Sequence, residues 1–118
     1  MAEIAKDAYV TIEVSDVNRA IGFYTKVLGL KRVKKWGDYW AELQAPGLYV
    51  ALHASDDKPA KKVGSGNMSI GFGVKELDKA LKHLKKKNVK AKLFEEEWGR
   101  WAEFTDPDGT FLYFWEGE

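Results

Sequence analysis

Residues 98–115, WGRWAEFTDPDGTFLYFW, decide the fold because they have the pattern of a β-hairpin. The alternating residues 101–104 lead to the turn signal at 106–109, and the aromatic segment 111–115 follows. Proline presets the φ angle of a turn, and aspartate and glycine tolerate the left-handed geometry of a tight reversal. A closely similar unit, WAELQAPGLYVAL, occurs earlier at residues 40–52 and indicates a repeat.

The repeat includes the segments that precede each hairpin. Residues 9–14 alternate and are rich in β-branched side chains, which predicts a strand. Residues 17–28 carry apolar side chains at helical spacing, directly after a capping residue at Asp16. The same strand pattern restarts at residues 68–74, and a second apolar helical stripe begins at Leu77. We therefore predict an internal duplication of a β-α-β-β-β unit.

These patterns define the expected organisation of the chain. We expect one domain over residues 1–118, with module one at about 8–54, a polar linker at about 55–67 and module two at about 68–115. Gly29 and Asn88 are predicted to end the two helices. The predicted strands are residues 9–14, 30–35, 39–44, 48–54, 68–74, 89–94, 101–104 and 111–115.

Composition excludes several classes of function. The chain has no cysteine, so it can form neither disulfides nor thiolate metal sites. Its net charge of +1 gives no general attraction to nucleic acid or to a membrane surface. It has neither an apolar run of spanning length nor a signal-peptide pattern, so we expect a cytoplasmic protein.

Specific motifs give a family resemblance. The segments VSDV at 14–17, FYTKVLGL at 23–30 and DPDG at 106–109 resemble the vicinal-oxygen-chelate superfamily. That superfamily comprises glyoxalase I, extradiol dioxygenases, and the bleomycin- and fosfomycin-resistance proteins. The resemblance implies an α+β fold in which two tandem βαβββ modules form a cup-like, curved mixed sheet with helices on its convex side. It also implies a ligand on the concave side and a homodimer.

The resemblance places the usual metal-ligand positions at residues that are poor ligands. These positions are Tyr9, Ala51, Ser69 and Tyr113, whereas divalent ions in this superfamily are held by histidine and carboxylate. We therefore predict no metal and no cofactor. A displaced metal site around His53 and nearby glutamates remains an alternative, and it would indicate a glyoxalase- or dioxygenase-like lyase or isomerase.

The side chains expected to face the cup are mostly aromatic, and aromatic walls stack on flat rings and attract cations. We predict metal-independent binding of a small planar organic molecule, either neutral or cationic, as in bleomycin-resistance-type proteins. Whether the protein is an enzyme stays open, with Glu42 and Glu103 as candidate bases, and a scaffold whose cup is filled by its own tryptophans is a third reading. The predicted ligand-binding residues are Tyr9, Trp40, Tyr49, Ala51, His53, Ser69, Trp101, Phe111, Tyr113 and Trp115.

Overall fold

The computed structural model describes residues 7–54 and 68–116, so the predicted linker at 55–67 lies outside the described residues. The described part forms two compact units, and each has the predicted βαβββ order. Module one comprises β1 (Tyr9–Val14), α1 (Val17–Lys26), β2 (Lys31–Trp36), β3 (Trp40–Ala45) and β4 (Leu48–Ala54). Module two comprises β5 (Ser69–Gly73), α2 (Leu77–Lys86), β6 (Lys92–Glu96), β7 (Gly99–Thr105) and β8 (Phe111–Glu116).

Each module contains one four-stranded mixed sheet. The strand order is β1-β4-β3-β2 in module one and β5-β8-β7-β6 in module two. The first strand of each module pairs parallel with the last strand, and the remaining pairs are antiparallel. The predicted α+β class and duplicated modules are confirmed. Within residues 7–54 and 68–116, no helix is long and apolar enough to cross a membrane.

Each helix covers one face of its own sheet. Helix α1 packs against β3 and β4, and α2 packs against β7 and β8. Strand residues alternate between the two faces, so every second residue of these strands is buried beneath a helix. Most side chains predicted to face a helix are buried, whereas Val10, Phe72 and Val74 are only half-buried. The buried ones are Ile12, Val14, Val50, Leu52, Ile70, Leu112 and Phe114.

Helix α1 begins as predicted but ends earlier. The Asp16 side chain accepts a hydrogen bond from the Arg19 backbone N–H at 3.0 Å, which confirms it as the N-cap. The last helical residue is Lys26 rather than Leu28. Gly29 has φ +77°, a left-handed conformation that stops the helix and turns the chain toward β2.

Helix α2 ends at Lys86, and the left-handed residue that follows its cap is Asn88, as the sequence predicts. Asn88 has φ +61°, and the Val89 N–H donates to the Leu84 carbonyl at 2.8 Å. This bond closes a Schellman-type helix end, which satisfies one of the last carbonyls of the helix. Because residues after Asn88 complete the helix end, β6 begins at Lys92 and not at Val89 as predicted.

Glu116 joins the start of α2 to the sheet. Its Oε2 accepts a hydrogen bond from the Leu77 N–H at 2.9 Å, and its Oε1 accepts from Arg100 Nε at 3.1 Å and Nη2 at 2.9 Å. Glu76, the residue at the N-cap position, makes no side-chain capping bond. The Leu77 N–H and then Arg100 stabilise the carboxylate and lower the pKa of Glu116. This long-range cap holds α2 over β7 and β8.

We predict that Glu116→Gln lowers the stability of the protein at neutral pH. The lowered pKa of Glu116 means that its stabilisation is present above its unfolded-state pKa and is lost as pH falls through its folded-state pKa. The difference from wild type should therefore shrink on acidification. Urea unfolding followed by tryptophan fluorescence between about pH 7 and pH 3 measures it.

The matched control is Glu96→Gln, which removes an exposed carboxylate in β6. It should unfold at the wild-type urea concentration throughout that pH range. If Glu116→Gln were as stable as the wild-type protein at neutral pH, the proposed capping role of Glu116 would be wrong.

Candidate functional site

One face of the module two sheet, opposite α2, carries a cluster of aromatic side chains. Register pairing sets Trp101 across from both Phe94 and Trp115, and sets Glu103 across from Tyr113. Directly paired residues point to the same side of a sheet, so these side chains share one surface. We call this surface the aromatic face; it comprises Ser69, Phe94, Trp98, Trp101, Glu103, Phe111, Tyr113 and Trp115.

Four rings of the aromatic face form a continuous row. Phe94 stacks on Trp101 with ring centroids 5.2 Å apart, and Trp101 stacks on Trp98 at 5.2 Å with an interplanar angle of 15°. The Trp98 and Trp115 centroids are 5.7 Å apart. Trp98 is nevertheless 59% exposed, so a large apolar surface at the β6–β7 turn faces solvent. Such an exposed apolar surface is a candidate for ligand contact.

A carboxylate lies beside this row. The Trp101 Nε1–H donates to Glu103 Oε2 at 3.1 Å, which fixes the carboxylate against the indole. A carboxylate has about four acceptor sites, so Glu103 can accept further donors from a ligand. The face therefore combines flat apolar rings with the Glu103 carboxylate and with the ammonium of Lys92, which pairs across the strands with Glu103 and lies 5.1 Å from the Phe94 ring centroid.

Two glycines make room for the rings of β8. A Cβ atom on Gly71 would lie 2.1 Å from Tyr113 Cζ, so the phenol ring occupies the space that any larger residue would take. A Cβ atom on Gly99 would lie 2.5 Å from Trp115 Cη2, and Gly99 has φ +157°. Both rings thus lie close against the backbone of a neighbouring strand.

The aromatic face borders a cavity of about 400 Å³. This volume is within the range of about 300–1,000 Å³ typical of small-molecule sites. Its lining residues all belong to module two and are Ser69, Trp98, Trp101, Glu103, Tyr113 and Trp115.

The equivalent face of module one is built differently. The Trp40 Nε1–H donates to Glu42 Oε2 at 3.0 Å, which repeats the Trp101–Glu103 pair. His53 Nδ1 lies 2.8 Å from Glu13 Oε2, and the Trp40 and His53 ring centroids are 5.9 Å apart. Module one therefore presents an imidazole–carboxylate pair where module two presents stacked indoles.

The residues at the usual metal-ligand positions do not fit a divalent ion. Desolvation and then the charge of Glu42 raise the pKa of the Tyr9 phenol, so it stays protonated near neutral pH. Ala51 is fully buried and has no donor atom, and Tyr113 fills the space above its neighbouring strand. Across residues 7–54 and 68–116, no three His, Cys, Asp or Glu side chains are grouped to hold a metal.

The structure distributes the predicted site residues over two surfaces. Tyr9 and Tyr49 stack at 5.0 Å on the module one face. Phe94 and Trp98 belong to the aromatic face but were not among the predicted ligand-binding residues. The signal for Trp98 was its exposed position beside a second tryptophan. Module one carries Tyr9, Trp40, Tyr49, Ala51 and His53, and module two carries Ser69, Trp101, Phe111, Tyr113 and Trp115.

Comparison with known proteins agrees with this architecture. The model of the glyoxalase/bleomycin resistance protein/dioxygenase superfamily matches residues 8–114. A probable trivalent organoarsenical cleaving enzyme of Bacillus subtilis (strain 168) is 32% identical over 114 residues, which cover 89% of this chain and 75% of that protein. Metallothiol transferase FosB of Lysinibacillus sphaericus (strain C3-41) is 31% identical over 114 residues, covering 92% and 80% respectively.

A solved structure has the same fold at lower sequence identity. TnmS3, an antibiotic binding protein from Streptomyces sp. CB03234, matches with a TM-score of 0.76 and 21% identity. The match covers 100% of both chains. Similarity at this level of identity shows that the two proteins share a fold.

We predict that Gly71→Ala displaces the Tyr113 ring without unfolding the protein. Gly71 does not have a positive φ, so alanine is compatible with its backbone. The free energy of unfolding should change by less than about 1 kcal/mol. A crystal structure of the variant should show the phenol turned away from β5.

Gly73→Ala is the matched control in the same strand, because its added Cβ would meet nothing within 4 Å. Tyr113 should keep its wild-type position in that variant. An unmoved Tyr113 ring in Gly71→Ala would show that the glycine does not set its place.

Proposed function

The chain belongs to the glyoxalase/bleomycin resistance protein/dioxygenase superfamily, and we propose that it binds a small, planar, cationic organic molecule on the aromatic face without a metal ion. The row of rings from Phe94 to Trp115 is the observation that supports this proposal most strongly. Flat rings stack on a flat ligand, and the Glu103 carboxylate beside them pairs with its positive charge.

The arrangement favours a ligand that is both flat and charged. A ring stacked on Trp98 gains dispersion and apolar burial, whereas a charge near the same indole is attracted by the ring quadrupole. Glu103 is held in place by Trp101, so it does not have to be ordered when a ligand arrives. The stacking surface and the Glu103 carboxylate both favour a planar cation as the ligand.

The named relatives help to choose between binding and catalysis. TnmS3 is an antibiotic binding protein, which supports a binding role for this fold. The Bacillus and Lysinibacillus relatives are named for a cleavage and a thiol transfer. The present chain has no cysteine, and Ala51 supplies no donor at one metal-ligand position. Their chemistries therefore do not transfer to this chain residue by residue.

An enzyme remains the second candidate because of one contact in module one. Glu13 Oε2 lies 2.8 Å from His53 Nδ1, and a carboxylate at Nδ1 leaves Nε2 of a neutral imidazole as a base. A proton-transferring lyase or isomerase would use that atom. Glu42, the other candidate base nearby, already accepts the Trp40 N–H. Homodimerisation, a single domain over residues 1–118 and a cytoplasmic location also stay predictions.

We predict that Trp98→Ala weakens binding of the planar monocation proflavine about five- to tenfold, because it removes one stacking surface. Quenching of the remaining tryptophan fluorescence, with a chelator present throughout, gives the dissociation constant.

Trp36→Ala is the matched control, since Trp36 is 52% exposed and lies in module one. It should bind proflavine like wild type. Equal weakening in both variants would point away from the aromatic face, and no proflavine binding by wild type in the micromolar range would count against the proposal.

A second prediction concerns charge. Glu103→Gln should weaken proflavine binding about three- to fivefold, because an exposed ion pair contributes little more than this. Binding of acridone, a neutral three-ring molecule of similar shape, should be unchanged. Isothermal titration calorimetry measures both ligands. An equal loss for the two molecules would mean that Glu103 acts through the shape of the site rather than through its charge.

A further inference from the structure

A second cavity adjoins the one beneath the stacked rings. It has a volume of about 350 Å³ and lies entirely within module two. Ser69, Glu103 and Tyr113 line both cavities. These three side chains border both spaces and supply a hydroxyl, a carboxylate and a phenol; we call them the shared wall.

The remaining linings of the two cavities differ in chemistry. The first adds three tryptophans, which offer flat stacking surfaces. The second adds Met68, Phe104, Phe111 and Leu112. Met68 is 59% exposed and Phe111 is 50% exposed, so the second cavity is bordered by apolar surface that a ligand can cover. The flexible thioether of Met68 adapts to the shape of an apolar chain.

We propose, on the basis of the function proposed above, that the ligand is an elongated amphiphile with a flat cationic ring system and an apolar extension. The ring system occupies the cavity beneath Trp98, Trp101 and Trp115. The charged or hydrogen-bonding group lies at the shared wall, within reach of Glu103. The apolar extension runs from that wall into the second cavity, over Met68 and Phe111.

The three lining residues that the two cavities share argue for one ligand rather than two. A molecule confined to the first cavity would leave the exposed Met68 and Phe111 in water. A molecule that also covers them gains apolar burial without meeting a second charge, because Glu103 is the one carboxylate or amine among the described residues that line the second cavity. The site thus accepts an uncharged extension beyond a single cationic centre.

Two dyes with the same cationic ring system test this inference. Acridine orange has no long extension, whereas 10-nonyl acridine orange carries a nine-carbon chain. Wild-type protein should bind the nonyl dye at least about tenfold more tightly, from burial of part of the chain. Fluorescence anisotropy of each dye, at concentrations below those at which it self-associates, gives the two dissociation constants.

Variants test whether the preference for the nonyl dye depends on residues that line the second cavity. The double variant Met68→Ser and Phe111→Ser should reduce the nonyl preference, which is the ratio of the two dissociation constants, to about twofold or less. Both side chains are at least half exposed, so the double variant should fold. Leu93→Ser is the control, because Leu93 is an exposed leucine paired with the buried Ala102 and so faces away from the aromatic face. It should keep the wild-type preference.

The outcomes separate this inference from the function on which it rests. Acridine orange binding that depends on Trp98, with no preference for the nonyl dye, overturns the elongated ligand and leaves the proposed function in place. A nonyl preference that the double variant retains, or that Leu93→Ser also abolishes, likewise overturns it. Binding of neither dye overturns both proposals.

Discussion

Strand β8 is hydrogen-bonded on both sides, to β5 in parallel and to β7 in antiparallel register. Because its side chains alternate between the two faces of the sheet, β8 contributes both to the core beneath α2 and to the candidate site. Leu112 and Phe114 are buried on the α2 side, while Tyr113 and Trp115 lie on the aromatic face. A slip of one residue would bring the phenol and the indole under the helix and expose the core. Fold and candidate binding surface are thus two consequences of one register.

Sequence alone predicts the features that depend on local chemistry. The alternation of β1, the Asp16 cap and the left-handed Asn88 all follow from residue types at fixed spacing, and the structure confirms them. The Glu116 cap of α2 could not be predicted in this way, because it joins residues that are far apart in sequence. The place of Trp98 in the ring row depends likewise on the path of a turn.

The duplicated modules have diverged at equivalent positions. Gly71 pairs with Tyr113 in module two, and Thr11 pairs with Ala51 in module one. A large ring beside a glycine and a small methyl beside a threonine are two ways of filling similar space. The usual metal-ligand positions fall on Tyr113 and Ala51. In both modules a side chain that packs against the neighbouring strand therefore occupies the place of a metal ligand. This divergence leaves an aromatic surface on one module and an imidazole–carboxylate pair on the other.

The central claim is that a planar cation binds the aromatic face of module two. The chain has five tryptophans, whose indole N–H groups give separate signals in a ¹H–¹⁵N spectrum. During a proflavine titration in the presence of a chelator, we predict that the signals of Trp98, Trp101 and Trp115 shift while those of Trp36 and Trp40 stay. Shifts confined to Trp36 and Trp40, or five unmoved signals at saturating dye, would contradict the claim.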